Sequence, residues 1–410
     1  MAAIGAMDRS QQILDSRYSW GRLGLTLLVA LIANTGIWMI VALLPDIEAD
    51  FDASRAAASM PYTLTMIGFA AGNLLVGRMV DRLGAAQSIQ IAAVVIAAGY
   101  VLSAFAQSVA LLSAMHLVLG LGTAVGFGPL IADISHWFYR QRGIAVALVA
   151  SGNYLSGAFW PTAMSGVLET GGWRAVYLWM ALVTLAMIPL AMTLRRRLPE
   201  NAHQTAEAAA TARAATTGLT PRMLALLLGL AGIGCCVAMS MPQVHIVAYC
   251  VGLGYGPAAG QKMLAIMLLG GVVSRIISGL VADRLGGVRT LLIGSVLQCI
   301  ALFLYLPYDG LVPLYVVSAV FGLSQGGIVP SYALVVREYM PAREAGARVG
   351  FVIMMTILGM ALGGWLSGWI FDVTGSYQAA FLNGIAWNAL NIAIMLWLLA
   401  RTRPRAAQLA

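Results

Sequence analysis

Charge is scarce in this chain: only 10% of its 410 residues are Asp, Glu, Lys or Arg, where soluble domains carry about 25%. With 60% hydrophobic residues and a mean hydropathy of +0.85, that scarcity excludes a soluble globular fold, because too little polar surface exists to cover the core. Cysteine is sparse as well. Cys235, Cys236, Cys250 and Cys299 all fall in apolar segments, which excludes a disulfide framework and leaves no metal site. No Walker loop occurs, so an ATP-driven pump is not expected. One nucleophile-elbow pattern, Gly322-Leu323-Ser324-Gln325-Gly326, lies in an apolar helix with no preceding strand and no histidine–acid pair. No catalytic residue, cofactor or enzymatic activity is therefore assigned.

What is present is a series of long apolar runs. Residues 23–44 carry no charge, and 22 residues at about 1.5 Å each span roughly 33 Å, enough to cross a hydrocarbon core of about 30 Å. A transmembrane barrel would instead show alternating segments of about 10 residues. Further runs at 58–77, 87–106, 110–132, 143–168 and 174–194 make a first set of six. A second set covers 223–249, 261–282, 290–306, 313–336, 348–371 and 378–400. Between them, residues 195–222 hold Arg195, Arg196 and Arg197, an Ala/Thr-rich stretch and Pro221, and read as a solvated linker with room for a surface helix. The first run is too long for a signal-peptide core, so it belongs to the mature chain.

The net charge of +8 would suggest nucleic acid in a soluble protein, but here the basic residues sort by side of the membrane. With the N-terminus inside, 20 of the 24 lysines and arginines fall on the inner face. Arg55, Arg174 and Lys262 fall outside, and Arg275 is left within a helix. Both termini are thus expected in the cytoplasm, with no nucleic-acid partner. The expected fold is an all-α membrane protein of twelve transmembrane helices in two pseudo-symmetric six-helix bundles. Its parts are a cytoplasmic segment 1–22, a bundle 23–194, a linker 195–222, a bundle 223–400 and a tail 401–410.

The halves match in sequence. Gly77-Arg-Met-Val-Asp81-Arg82-Leu83-Gly84 returns 202 residues later as Gly279-Leu-Val-Ala-Asp283-Arg284-Leu285-Gly286. Gly171-Gly-Trp173-Arg-Ala175-Val-Tyr177-Leu178 corresponds to Gly375-Ser-Tyr377-Gln-Ala379-Ala-Phe381-Leu382. Such duplication marks transporters built from repeated bundles. Asp81, Arg82, Asp283 and Arg284 just past helix ends are candidate gating residues, able to pair with a neighbouring helix and to release it.

These loops resemble the Gly-x-x-x-Asp-Arg-x-Gly signature of the major facilitator superfamily, although Ala85 and Ala86 stand where basic residues usually follow. The segment Asp133-Ile-Ser-His136-Trp137-Phe138-Tyr-Arg140-Gln-Arg142-Gly143, with Ser151-Gly152-Asn153-Tyr154-Leu-Ser-Gly157, is similar to the monocarboxylate porters, a group that includes the oxalate:formate antiporters. The resemblance implies a bacterial inner-membrane monomer that moves a small organic anion by alternating access, with protons and lipids as its other partners. It also implies that an eighth-helix arginine binds the substrate carboxylate.

Independently of that likeness, Arg275 has no mid-helix acidic residue to neutralise it, and arginine near the bilayer centre costs about 2.5–3.5 kcal/mol on insertion scales. A bound carboxylate is the natural counter-ion, and a guanidinium fork fits it in bidentate geometry. A structural arginine bonded to backbone carbonyls is the alternative. The resemblance adds that oxalate antiporters hold a second carboxylate with a lysine of the eleventh helix; none stands in that run here, which favours a monocarboxylate. His245, after Pro242 and about four residues from the outer end of the seventh run, is the candidate for proton coupling and a further substrate contact. The resemblance further implies Asn34, Phe127, Asn153, Tyr154, Ser331 and Tyr332 as candidate pocket residues, with interhelical packing, and hydrogen bonding for the polar ones, as the competing role. The function expected is proton-linked transport of lactate- or pyruvate-like acids. Organic anion exchange and drug:proton antiport are the rivals, the latter poorly served by Gly157-Ala-Phe-Trp160-Pro161 in the fifth helix.

Overall fold

The computed structural model describes residues 15–135, 137–138, 141–196, 219–340 and 342–402, and among these every regular element is helical. The expected central surface helix and the terminal segments lie outside the described residues. Among the described residues, eleven helical spans are long and apolar enough to cross a membrane. The fifth helix, Arg142–Ala163, adds a twelfth at 22 residues, about 33 Å.

The first helix comprises Arg17–Ala33 and Thr35–Asp50, interrupted at Asn34. The second is Arg55–Leu83 and the third Ala85–Ala104. The fourth comprises Val109–Thr123, a 3-10 turn Ala124–Gly126 and Gly128–Ser135. After the fifth, Ser165–Leu185 and Met187–Thr193 carry a turn at Gly172 (φ 73°) that starts the sixth helix. The seventh is Pro221–Gly252, the eighth Pro257–Leu285 and the ninth Gly287–Leu304. The tenth is split into Leu311–Gln325 and Ile328–Tyr339, and Ala342–Thr374 and Tyr377–Thr402 complete the second bundle. Twelve crossings put Asp15 and Thr402 on one face, here called the terminal face.

The sequence repeat has a structural counterpart. The second helix ends at Gly84 (φ 87°, ψ 165°) and the eighth at Gly286 (φ 80°, ψ 165°), a backbone region that L side chains avoid. Both helices run two residues beyond Asp81 and Asp283, so these aspartates stand in a last turn rather than past the end.

Buried polar contacts hold each bundle together. On the terminal face Arg22 donates to Asp133 Oδ2 (2.8 Å) and to the carbonyls of Leu194 and Arg196, and stacks on Trp137. Deeper in the same bundle, His116 bonds Thr65 (2.8 Å) and Tyr177 (2.9 Å), tying the fourth, second and sixth helices. In the second bundle Tyr332, Asn391, Asn388 and Ser295 form a corresponding network. The bundles then meet along the second and eleventh, the fifth and eighth, and the first and seventh helices. The site lies on the second of these seams.

Candidate functional site

Arg275 stands ten residues before the end of the eighth helix and eighteen after its start, about 15 Å from the terminal face and about 27 Å from the other. It is only 6% exposed. Its Nε donates to the Gly326 carbonyl (3.2 Å) and its Nη1 to the Ala150 carbonyl (2.6 Å), while the guanidinium lies 4.4 Å from the centre of the Tyr154 ring. Gly326 belongs to its own bundle, and Ala150 and Tyr154 to the other. None of the three ion pairs among the described residues, Arg22–Asp133, Arg55–Glu48 and Arg174–Asp50, involves Arg275. The buried cation is thus solvated by two neutral carbonyls and a π face, and no carboxylate neutralises it in the bonds described.

Breaks in the helices create those partners. The tenth helix is interrupted at Gly326 and Gly327, which turns the Gly326 carbonyl toward the eighth helix. The fourth breaks at Ala124–Phe127, and there Asn34 Nδ2 donates to the Gly126 carbonyl (3.0 Å). Asn34 Oδ1 in turn accepts from Asn153 Nδ2 (2.9 Å), and Asn153 Oδ1 accepts from Trp38 Nε1 (3.2 Å). Asn153 and Tyr154 are consecutive, so this network fixes the segment that presents the Tyr154 ring to Arg275.

The structure therefore gathers Arg275, Tyr154, Asn153 and Asn34. The remaining candidates are placed elsewhere. Phe127 packs against Phe69 at the break in the fourth helix, with ring centres 6.0 Å apart. The Ser331 hydroxyl donates back to the Gly327 carbonyl (2.7 Å), one turn past the tenth-helix break. Tyr332 donates its hydroxyl to Asn391 (2.8 Å) inside the second bundle, which is the interhelical role rather than a free pocket group.

His245 is also held apart. The seventh helix runs to Gly252, so His245 is seven residues from that end, not four, about 10 Å from the face opposite the termini. Its Nε2 bonds the Gly364 carbonyl (2.8 Å) and its Nδ1 the Tyr377 hydroxyl (3.2 Å). In this conformation it is engaged with the eleventh and twelfth helices, at a different depth from Arg275. Tyr377 meets the other bundle, since Arg55 Nη1 donates to its hydroxyl (3.4 Å).

That same end carries a contact the sequence reading did not identify. The Asp372 carboxylate, at the end of the eleventh helix, accepts from the backbone N–H groups of Arg55 (2.9 Å) and Ala56 (2.8 Å), capping the second helix across the bundle seam. Arg55 and Glu48 lie 2.9 Å apart beside it, an ion pair without hydrogen-bond alignment. Loss of a side-chain helix cap costs about 0.5–2 kcal/mol, or roughly 2- to 30-fold in a conformational equilibrium. Asp372→Ala is expected to raise alkylation of a reporter Thr63→Cys on this seam by that factor. An unchanged rate would mean that the cap does not hold the seam closed.

Of the expected gating residues, Arg82 and Arg284 are exposed on the terminal face, and the side chains of Asp81 and Asp283 lie outside those described. Nearby, Glu338 accepts from the Gly287 backbone N–H (2.9 Å) at the start of the ninth helix.

Some participants were not legible as residue types. Ala150 and Gly326 act through carbonyls. Gly271, one turn before Arg275, leaves room for the aromatic ring: a Cβ there would lie 2.8 Å from Tyr154 Cε2. Gln243 and Gln325, fully buried and hydrogen-bonded to each other, were overlooked although two glutamines in apolar helices are a readable signal. No group of three or more potential metal ligands occurs among the described residues.

Comparison with known proteins agrees with this architecture. The family model of the Major Facilitator Superfamily matches residues 26–306 and 251–410. The mouse protein Monocarboxylate transporter 11 is 30% identical over 358 residues, covering 83% of this chain and 78% of its own. Its human counterpart is 29% identical over 361 residues, covering 82% and 74%. Among solved structures, a mutant of the nucleoside transporter NupG superimposes with a TM-score of 0.69 over 93% of this chain and 100% of that one, at 15% identity.

Proposed function

Because the chain belongs to the major facilitator superfamily, whose members are transporters and not enzymes, we propose that it carries small organic monocarboxylates across a bacterial inner membrane, with Arg275 as the carboxylate anchor. One observation carries this reading: a buried guanidinium, held by two neutral carbonyls and Tyr154 with no carboxylate among the contacts described, sits on the seam between the two bundles. The names of the mouse and human relatives support the substrate class.

The geometry suggests how binding drives the cycle. A carboxylate makes shorter and roughly twofold stronger bonds to a guanidinium than a neutral carbonyl does. An entering anion therefore competes with the Ala150 carbonyl for Nη1, and the fifth helix is released from the eighth when it wins. Alternating access follows from that exchange of partners: the ligand favours whichever arrangement of the bundles leaves Arg275 free for it. The sorting of basic residues supports cytoplasmic termini, so the Asp372 cap would close the outer side.

Proton linkage rests on His245. In the closed outer seam its two ring nitrogens are satisfied by Gly364 and Tyr377, an arrangement that suits the neutral imidazole. Opening the seam withdraws Arg55 from Tyr377 and exposes the ring to water, where it takes a proton.

Labelled lactate, pyruvate and propionate taken up into proteoliposomes, with and without an inward proton gradient, test the proposal. Saturable uptake, accelerated severalfold by the gradient, is expected in the wild-type protein. His245→Asn is expected to lose the acceleration while exchange without a gradient persists. Equal stimulation in both proteins would remove His245 from the coupling, and the absence of saturable uptake would remove the substrate class.

A further inference from the structure

The Gln243–Gln325 pair carries an unused hydrogen-bonding capacity. Gln243 Nε2 donates to Gln325 Oε1 at 2.5 Å, and both residues have no exposed surface. Gln243 Oε1 and Gln325 Nε2 have no partner. Exchanging the oxygen and nitrogen of both amides changes nothing in this inventory: one donor and one acceptor are left over either way. Buried polar groups are almost always paired, so a complementary orphan pair in a membrane interior calls for something to fill it.

Its position points to what that is. Gln325 immediately precedes Gly326, whose carbonyl receives Arg275 Nε, and consecutive Cα atoms are about 3.8 Å apart. The Gln325 amide and the carbonyl that holds the anchor thus belong to the same break in the tenth helix. Gln243 approaches from the seventh helix directly after Pro242, which has no N–H to continue the helical ladder. A hydroxyl on the carbon next to a carboxylate donates one hydrogen bond and accepts another, which is the complement of Gln243 Oε1 and Gln325 Nε2. A keto oxygen only accepts, and leaves Gln243 Oε1 unpaired. An unsubstituted acid leaves both.

We propose that the Gln243–Gln325 pair reads the 2-substituent of the substrate and makes the protein selective for 2-hydroxy monocarboxylates over 2-oxo acids, and for both over unsubstituted acids. This rests on Arg275 holding the carboxylate. Specificity of this kind arises because the analogue that lacks the group leaves buried polar atoms unpaired.

The test compares kcat/KM for lactate, pyruvate and propionate in proteoliposomes for wild type, the double variant Gln243→Leu/Gln325→Leu, and Arg275→Gln. Replacing both amides together removes the pair without stranding one member, so the fold is retained. Wild type is expected to prefer lactate to propionate by tenfold or more, with pyruvate between, and the double variant to bring the three within about twofold. Arg275→Gln is expected to lower all three alike. A wild-type protein that does not discriminate, or a double variant that keeps the preference, overturns the assignment and leaves the anchor standing, with water then filling the pair. Transport of none of the three overturns both.

Discussion

Arg275→Gln is expected to lower kcat/KM for a monocarboxylate by roughly 30- to several-thousandfold while the protein still inserts and folds. The range follows from the loss of one partner of a buried, hydrogen-bonded charge pair, about 2–5 kcal/mol, at about 1.4 kcal/mol per decade. Stability moves the other way. Removing the cation relieves an insertion penalty of about 2.5–3.5 kcal/mol, and the amide of glutamine can still donate to the Gly326 or Ala150 carbonyl, each now held by one guanidinium nitrogen. Arg275→Lys separates charge from shape: an ammonium keeps the attraction but cannot present two parallel donors, so an intermediate loss is expected. Initial rates over a substrate series, with detergent-solubilised melting as the control for folding, measure all three proteins. Unchanged kcat/KM in Arg275→Gln would leave Arg275 as a brace between bundles and nothing more.

That contrast also marks what could be learned from the residues alone. Arg275 was legible because apolar helices make a lone charge conspicuous, and the duplicated Gly-x-x-x-Asp-Arg-Leu-Gly segments announced two related halves whose helices end in matching glycine turns at Gly84 and Gly286. Its partners were not legible, since Ala150 and Gly326 contribute carbonyl oxygens that every residue possesses. Helix ends were drawn too short at the first and eighth helices because charged and polar residues at Arg17, Asp50 and Asp283 continue the helix beyond the apolar core. The breaks at Asn34 and Ala124–Phe127 contain no proline and so gave no local signal. His245 shows a different limit. Hydropathy assigns a residue to a helix, but which way its ring faces depends on packing, here against Gly364 and Tyr377. Packing likewise decides between the two roles open to Tyr332, whose hydroxyl donates to Asn391 inside the second bundle.

A second large effect is expected where the site depends on backbone contact. At Gly326 an added Cβ would fall inside the radius of the Gly271 carbonyl oxygen, and neither helix backbone has a flexible side chain to move instead. Overpacking typically costs about 1–3 kcal/mol and occasionally more; Gly326→Ala belongs at the upper end, with a clear fall in melting temperature. It should also push the Gly326 carbonyl off Arg275 Nε and raise KM in the fraction that folds. Gly120 supplies the control. In the first bundle it meets the Thr65 carbonyl in the same backbone-on-backbone manner, far in the chain from Arg275 and its partners. Gly120→Ala is expected to melt early as well, yet with KM near wild type in the folded fraction. If both variants change KM equally, the tenth-helix break has no particular hold on the anchor, and the loss reflects general loosening of the bundles. If only Gly326→Ala changes it, the carbonyl that solvates the guanidinium in the resting transporter also sets where the carboxylate must go.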